Sequence, residues 1–157
     1  MRRVDLGNPC YRFGWESVDT EPKHNGVIKE DANVYLVNNP LQFDEIYSKN
    51  LLEHLPDPGT FIKNAFDALT PGGRLTIITD NAEFIPFYFP FLLRHTGLAA
   101  HSRNDYILGN GFGHAPHYAV FTKLHLMNLL SLAGFHDVKV SRIGRYLGAR
   151  LEATGIR

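Results

Sequence analysis

Two groups of residues in this chain have types and spacings that could do chemistry. The first lies in residues 4–19, VDLGNPCYRFGWESVD. A short β-prone stretch carries Asp5 and breaks at Gly7, and a second apolar stretch ends on Asp19. Nucleotide-binding units often begin this way, with a glycine that lets backbone approach a ligand closely. The usual glycine-rich continuation is absent: Asn8, Pro9 and Cys10 follow instead. Pro9 has no N–H to donate and holds φ near about −65°. The stretch is either a cofactor loop without its glycines or an ordinary turn. The second group is His114 and His117, an H-x-x-H pair beside Tyr118, with Asp80 and Asn81 at the end of an apolar run. An imidazole has an unperturbed pKa of about 6.5, suited to acid–base work. The pair is poor as a metal site, because Pro116 argues against a continuous helix and no third ligand is obvious, so no metal is expected. Structural or solvated histidines are the plain alternative.

The elements that must position these groups are readable to differing degrees. RRVDL (2–6), WESVD (15–19) and VIKED (27–31) read as short strands. Their connections are too brief for the helix-bearing crossovers that parallel strands normally need. FDEIYS (43–48) is a fourth strand and KNLLEHL (49–55) a short helical turn. Asp57 and Pro58 suit the N-cap and first position of a helix. Phe61, Ala65, Phe66 and Leu69 lie on one face of it, and Pro71-Gly72-Gly73 ends it. RLTIIT (74–79) is a strand apolar at its centre, as a buried parallel strand should be. Thr122 caps a helix carrying Leu124, Met127, Leu130 and Ala133, and Gly134 ends it in the left-handed region. DVKVSRI (137–143) and ARLEATGI (149–156) form a terminal antiparallel pair. Strands alternating with helices imply an α/β fold with a mostly parallel sheet.

The 157 residues suit one domain, residues 1–157, in which 80–121 is an irregular lid or substrate segment. Apolar content of 44% and charged content of 20% are ordinary for a soluble globular chain. Zero formal net charge gives no bulk signal for nucleic acid or an anionic membrane. The greasiest stretch, FIPFYFPFLL (84–93), is broken by two prolines and falls well short of the roughly 20 residues a span needs. A single cysteine, and no apolar segment behind the two N-terminal arginines, lead to the expectation of a cytoplasmic protein. The aromatic block Phe84, Phe87, Tyr88, Phe89 and Phe91 reads first as a lid packed on the sheet. It could also cover faces left bare by the missing N-terminal helices, including across a homodimer interface, or line an acceptor pocket. Gly109, Gly111 and Gly113 have no strand–helix frame that would make them a phosphate loop.

The run FDEIYSKNLLEHLPDPGTFIKNAFDALTPGGRLTIIT (43–79) resembles the small class I S-adenosylmethionine-dependent methyltransferases. The family's strand, Leu-Glu-His turn and Pro-Gly-Gly turn stand there in order. FTKLHLMNLLSLAGFHDVKV (121–140) resembles its late helix and strand. The resemblance implies a Rossmann-like sheet of order 3-2-1-4-5-7-6 with an antiparallel terminal hairpin, few helices in the N-terminal third, and S-adenosylmethionine as cofactor. It implies that Asp5, Gly7 and Asn8 form the cofactor loop, with Pro9 at the second-glycine position. Asp19 and Thr20 fall at the ribose position, Asp31 and Ala32 at the adenine edge, and Ser48, Lys49 and Asn50 beside the sulfonium. His114 and His117 are the candidate catalytic residues. HAPHYAVF (114–121) resembles the lead-in of sugar-associated members, which implies a small-molecule or glycan-like acceptor. The alternative is a non-catalytic methyltransferase-like scaffold for binding or oligomerisation, motivated by Pro9 and the short N-terminal connections.

Overall fold

The computed structural model describes residues 1–84, 117–144 and 148–157. A seven-stranded sheet runs in the order β3-β2-β1-β4-β5-β7-β6. Its strands are β1 (Arg3–Leu6), β2 (Glu16–Asp19), β3 (Val27–Lys29), β4 (Phe43–Lys49), β5 (Leu69–Asp80), β6 (His136–Ile143) and β7 (Arg150–Ile156). The first five pair in parallel, while β7 is antiparallel to both β5 and β6. The expected order and terminal hairpin are both present.

Right-handed crossovers decide which face the helices cover. The chain moves across the sheet in one direction from β3 to β4 to β5. The connecting helices α1 (Ala32–Val37) and α2 (Pro58–Ala68) therefore share a face, and α3 (Lys123–Ala133) packs beside α2. The connections β1→β2 and β2→β3 move the opposite way and belong on the other face. They consist of residues 7–15 and 20–26 and contain no helix.

The two faces have opposite chemistry. One row of laterally paired residues reads Val18, Leu6, Ser48, Ile77 and Ala153, each 0% exposed. The neighbouring row, pointing the other way because side chains alternate, reads Ser17, Asp5, Tyr47, Thr76 and Thr154. Parallel sheets usually bury both faces. Here the apolar face packs on the helices, and among the described residues no helix covers the polar one. Tyr35 of α1 ties that helix to the sheet through its hydroxyl, which donates to Glu16 at 2.5 Å while Arg2 donates to the same carboxylate. Burial and this acceptor push the Tyr35 hydroxyl up to about 12.

Local signals explain the helix ends. Asp57 accepts from the Thr60 N–H and Pro58 opens α2. Thr122 accepts from the His125 N–H, and Gly134 closes α3 at φ 108°.

Several expectations need correction. VIKED is strand only over Val27–Lys29, and the unforeseen helix α1 follows, capped by Asp31. Pro71-Gly72-Gly73 does not separate helix from strand: β5 starts at Leu69, directly after α2, and carries these residues through an irregularity in its pairing with β4. The face of α2 that is buried is Phe61, Ile62, Ala65 and Ala68. In α3 the core takes Leu126 and Leu130, while Leu124 and Met127 stand 62% and 42% exposed. KLHLMNLLSLA is apolar on nearly all sides, so its pattern alone selects no face. No helix among the described residues is long and apolar enough to cross a membrane.

Candidate functional site

In an open α/β sheet, ligands bind beyond the carboxyl ends of the strands where the strand order reverses. That point lies between β1 and β4. A hollow of about 280 Å³ opens there, lined by Asp5, Gly7, Asn8, Arg12, Tyr47 and Lys49. Gly7 leaves β1 at φ 75°, in the left-handed region, and its N–H donates to Val18 O at 2.9 Å. A Cβ there would stand 2.9 Å from Leu51 Cβ. Asn8 braces the turn, donating to Asp5 Oδ2 at 3.0 Å and accepting from the Cys10 N–H. Pro9 offers its carbonyl to the Lys23 N–H at 2.8 Å, so the loop is held without an N–H from that position.

Arg12 was not foreseen. Its backbone N–H donates to Ser17 Oγ, and its guanidinium reaches Asp5 Oδ2 at 3.3 Å. That guanidinium lies over the Trp15 ring at 4.1 Å and the Tyr47 ring at 4.7 Å. The flanking aromatics in YRFGW were the available signal, since guanidinium groups settle on aromatic faces. Asp5 is 3% exposed, and burial raises its carboxyl pKa above the ordinary 3.8 despite the hydrogen bonds from Asn8 and Arg12. A raised carboxyl pKa means the folded chain holds the proton more tightly than the unfolded one. The ionised group therefore costs stability as pH rises past the unfolded value, and the whole cost is present above the folded value. Asp5→Asn should raise the thermal midpoint at pH 7 and leave it nearly unchanged near about pH 3; calorimetric melts at the two pH values check this.

The other foreseen residues are spread around this hollow. Asp19 ends β2, half-buried, and accepts from the Glu21 N–H at 2.7 Å, with Thr20 exposed beside it. Asp31 is exposed and caps α1 through the Asn33 and Val34 N–H groups, and Ala32 is buried in the first turn. Neither acid lines the hollow. Ser48 is fully buried and turned to the helix-covered face, away from Asp5 and Tyr47. Lys49 lines the hollow. Asn50, exposed at φ 53°, sends its N–H to Ile78 O.

A second cluster sits at the same edge of the sheet, beyond β4 and β5. Leu52–His54 form a short 3-10 turn in which Glu53 is 1% exposed. Glu53 accepts from Thr79 Oγ1 at 2.7 Å, and its own carbonyl accepts from the Tyr118 N–H at 2.8 Å. That contact brings His117 to the turn. The His54 and His117 rings meet edge-on at 4.6 Å, and His117 Nδ1 stands 3.8 Å from Asp80 Oδ2. Burial, with the Asp80 carboxylate beside it, pushes the Glu53 carboxyl up to about 7. An acid within the apolar run LLEHL was the sequence signal for it. His114, the partner foreseen for His117, lies outside the described residues, as do Gly109, Gly111, Gly113 and the aromatic block beyond Phe84.

Residues 4–140 match the family described as "Methyltransferase domain". The chain is similar to a ubiquinone biosynthesis O-methyltransferase of Xylella fastidiosa, 31% identical over 77 residues, which is 46% of this chain and 31% of that protein. It is 39% identical over 54 residues to the enzyme of the same name in Coxiella burnetii, covering 34% of this chain and 23% of that one. The chain thus spans a third or less of the length of these relatives. In fold it is similar to a SAM-dependent methyltransferase of Archaeoglobus fulgidus, with a TM-score of 0.66, 16% identity, and 99% of this chain and 86% of that chain covered. It is also similar to phosphoethanolamine N-methyltransferase 2 of Haemonchus contortus in complex with S-adenosyl-L-methionine. There the TM-score is 0.63 and the identity 13%, with 99% and 48% of the two chains covered.

Proposed function

The chain belongs to the methyltransferase-domain family, and from that premise we propose that it is an S-adenosylmethionine-dependent methyltransferase acting on a small-molecule or glycan-like acceptor. One observation carries the cofactor reading: the hollow at the strand-order reversal joins a glycine at positive φ, a buried acid and a guanidinium set over the faces of two rings. The methionine end of the cofactor carries an ammonium and a carboxylate, and these two charges suit Asp5 and Arg12. At about 280 Å³ the hollow is near the low end of ligand pockets, which run from roughly 300 Å³. It therefore fits this part of the cofactor, and Asp19 at the end of β2 and Asp31 at the start of α1 are the acids for the adenosine part.

When bound, S-adenosylmethionine supplies a methyl group already activated by its sulfonium. The protein's share is to fix the cofactor, bring an acceptor into line and exclude water. In this reading Gly7 and Asn8 shape the floor and Arg12 clamps the carboxylate. His117, 3.8 Å from Asp80 and next to Tyr118, whose N–H donates to Glu53 O, stands with Lys49 and Asn50 on the acceptor side. The glycan-like acceptor rests on the likeness of residues 114–121 to sugar-associated members, of which His117 to Phe121 are described.

Titration of the purified chain with S-adenosylhomocysteine, followed by calorimetry, tests the reading. Saturable one-to-one binding is expected. Arg12→Ala should weaken it about 10- to 100-fold, the range of a charge-assisted hydrogen-bonded pair. No binding by folded wild-type protein would overturn the reading and leave a methyltransferase-like scaffold.

A further inference from the structure

We propose that Glu53, His54 and His117 form a site for a divalent transition-metal ion, with Asp80 orienting His117 from outside. One potential ligand atom from each of the three residues lies within 4.8 Å of the other two. The three come from two segments far apart in sequence. The N–H groups of Tyr118 and Ala119 both donate to Glu53 O, at 2.8 and 3.3 Å, so backbone fixes their approach. A hydrogen bond from Thr79 holds one carboxylate oxygen of Glu53. Asp80 Oδ2 stands 3.8 Å from Nδ1 of His117, just beyond hydrogen-bond distance, and closing that gap would let the carboxylate steer a ligating imidazole.

Charge gives the second reason. Glu53 and Asp80 are 1% and 5% exposed and flank the same imidazole, Asp80 at 3.8 Å from Nδ1 of His117 and Glu53 within 4.8 Å of its ligand atom. Two neighbouring buried carboxylates are costly without a cation. Arg150, opposite Asp80 on β7, supplies part of it. A divalent ion would neutralise the rest. Two imidazoles and a carboxylate suit zinc, manganese or iron, whereas magnesium and calcium prefer all-oxygen shells. Three protein ligands would leave a position open to water or to an oxygen of another molecule. The cluster sits beyond the carboxyl ends of β4 and β5, the side from which an acceptor approaches if the methyltransferase reading holds. Only that last placement rests on the reading.

The test uses the full chain after EDTA treatment and dialysis, titrated with zinc chloride and with manganese chloride by calorimetry, with thermal melts in parallel. One saturable site per chain is expected for at least one metal, with a raised melting midpoint. His54→Ala, at a half-exposed position, should remove the site while the chain still folds, as circular dichroism reports. Asp80→Asn should weaken binding about 10- to 100-fold. His136→Ala, at an exposed histidine beside Asp137, should change nothing. Absence of saturable binding in folded wild-type protein would overturn the proposal. So would binding that survives the His54→Ala, His117→Ala double variant. Metal binding without S-adenosylhomocysteine binding would uphold the site and count against the methyltransferase reading alone.

Discussion

Gly7→Ala is expected to lower S-adenosylhomocysteine affinity by at least about 100-fold, or about 2.7 kcal/mol, while Gly72→Ala binds as the wild type does. Both glycines occupy the left-handed region, at φ 75° and 79°. An alanine at either position takes a backbone penalty of roughly 1–2 kcal/mol, so both variants should melt earlier. Their surroundings differ. A Cβ on Gly72 meets nothing within 4 Å, whereas one on Gly7 lies 2.9 Å from Leu51 Cβ and 3.2 Å from Leu51 Cδ1. Either the 7–14 loop or the Leu51 turn must move, and each forms part of the edge where the cofactor is expected. Thermal melts separate the shared strain from the local clash, and calorimetry reads the affinity. Equal affinities for the two variants would move the cofactor away from this loop.

The strand order was legible through the family resemblance that Leu-Glu-His, Pro-Gly-Gly and the late helix carry, although Pro71-Gly72-Gly73 lies within β5 and ends no helix. Helix ends were legible where one side chain decides them, as at Asp57, Thr122 and Gly134. Three features were hidden for physical reasons. Helix α1, which Asp31 caps through two N–H groups, is one of them: ANVYLV has too few turns to show a period. The Arg12 clamp depends on Trp15, just before β2, meeting Tyr47 of β4; YRFGW shows the arginine and its aromatics, and no local pattern reports the cross-sheet encounter. Glu53 and His117, 64 positions apart in the sequence, meet only because the Tyr118 N–H donates to Glu53 O. The missing N-terminal helices were legible from connection length. Their consequence, one polar sheet face, was also written in RVDL and RLEATGI, where charged or hydroxyl residues alternate with apolar ones, while the adjacent Ile77 and Ile78 hid it in RLTIIT.

That asymmetry concentrates the described core on one side, and Phe61→Ala is the variant expected to expose it most. Phe61 is 0% exposed on the sheet-facing side of α2, with Ile62, Ala65 and Ala68 on the same buried surface. Truncating a buried phenylalanine costs about 3–5 kcal/mol, through lost transfer energy and the cavity left behind. Domains have only about 5–15 kcal/mol of stability, and in a chain of this size each kcal/mol shifts the melting point by about 2–4 °C. A fall of roughly 6–20 °C is expected. Thr76→Ala, on the polar face of β5 and half-buried, should stay within about 0.5 kcal/mol of the wild type. Denaturant unfolding of the pair measures the difference. Comparable losses in the two variants would mean that the polar face is packed as tightly as the helix-covered one, and the view of a sheet stabilised from one side would fall.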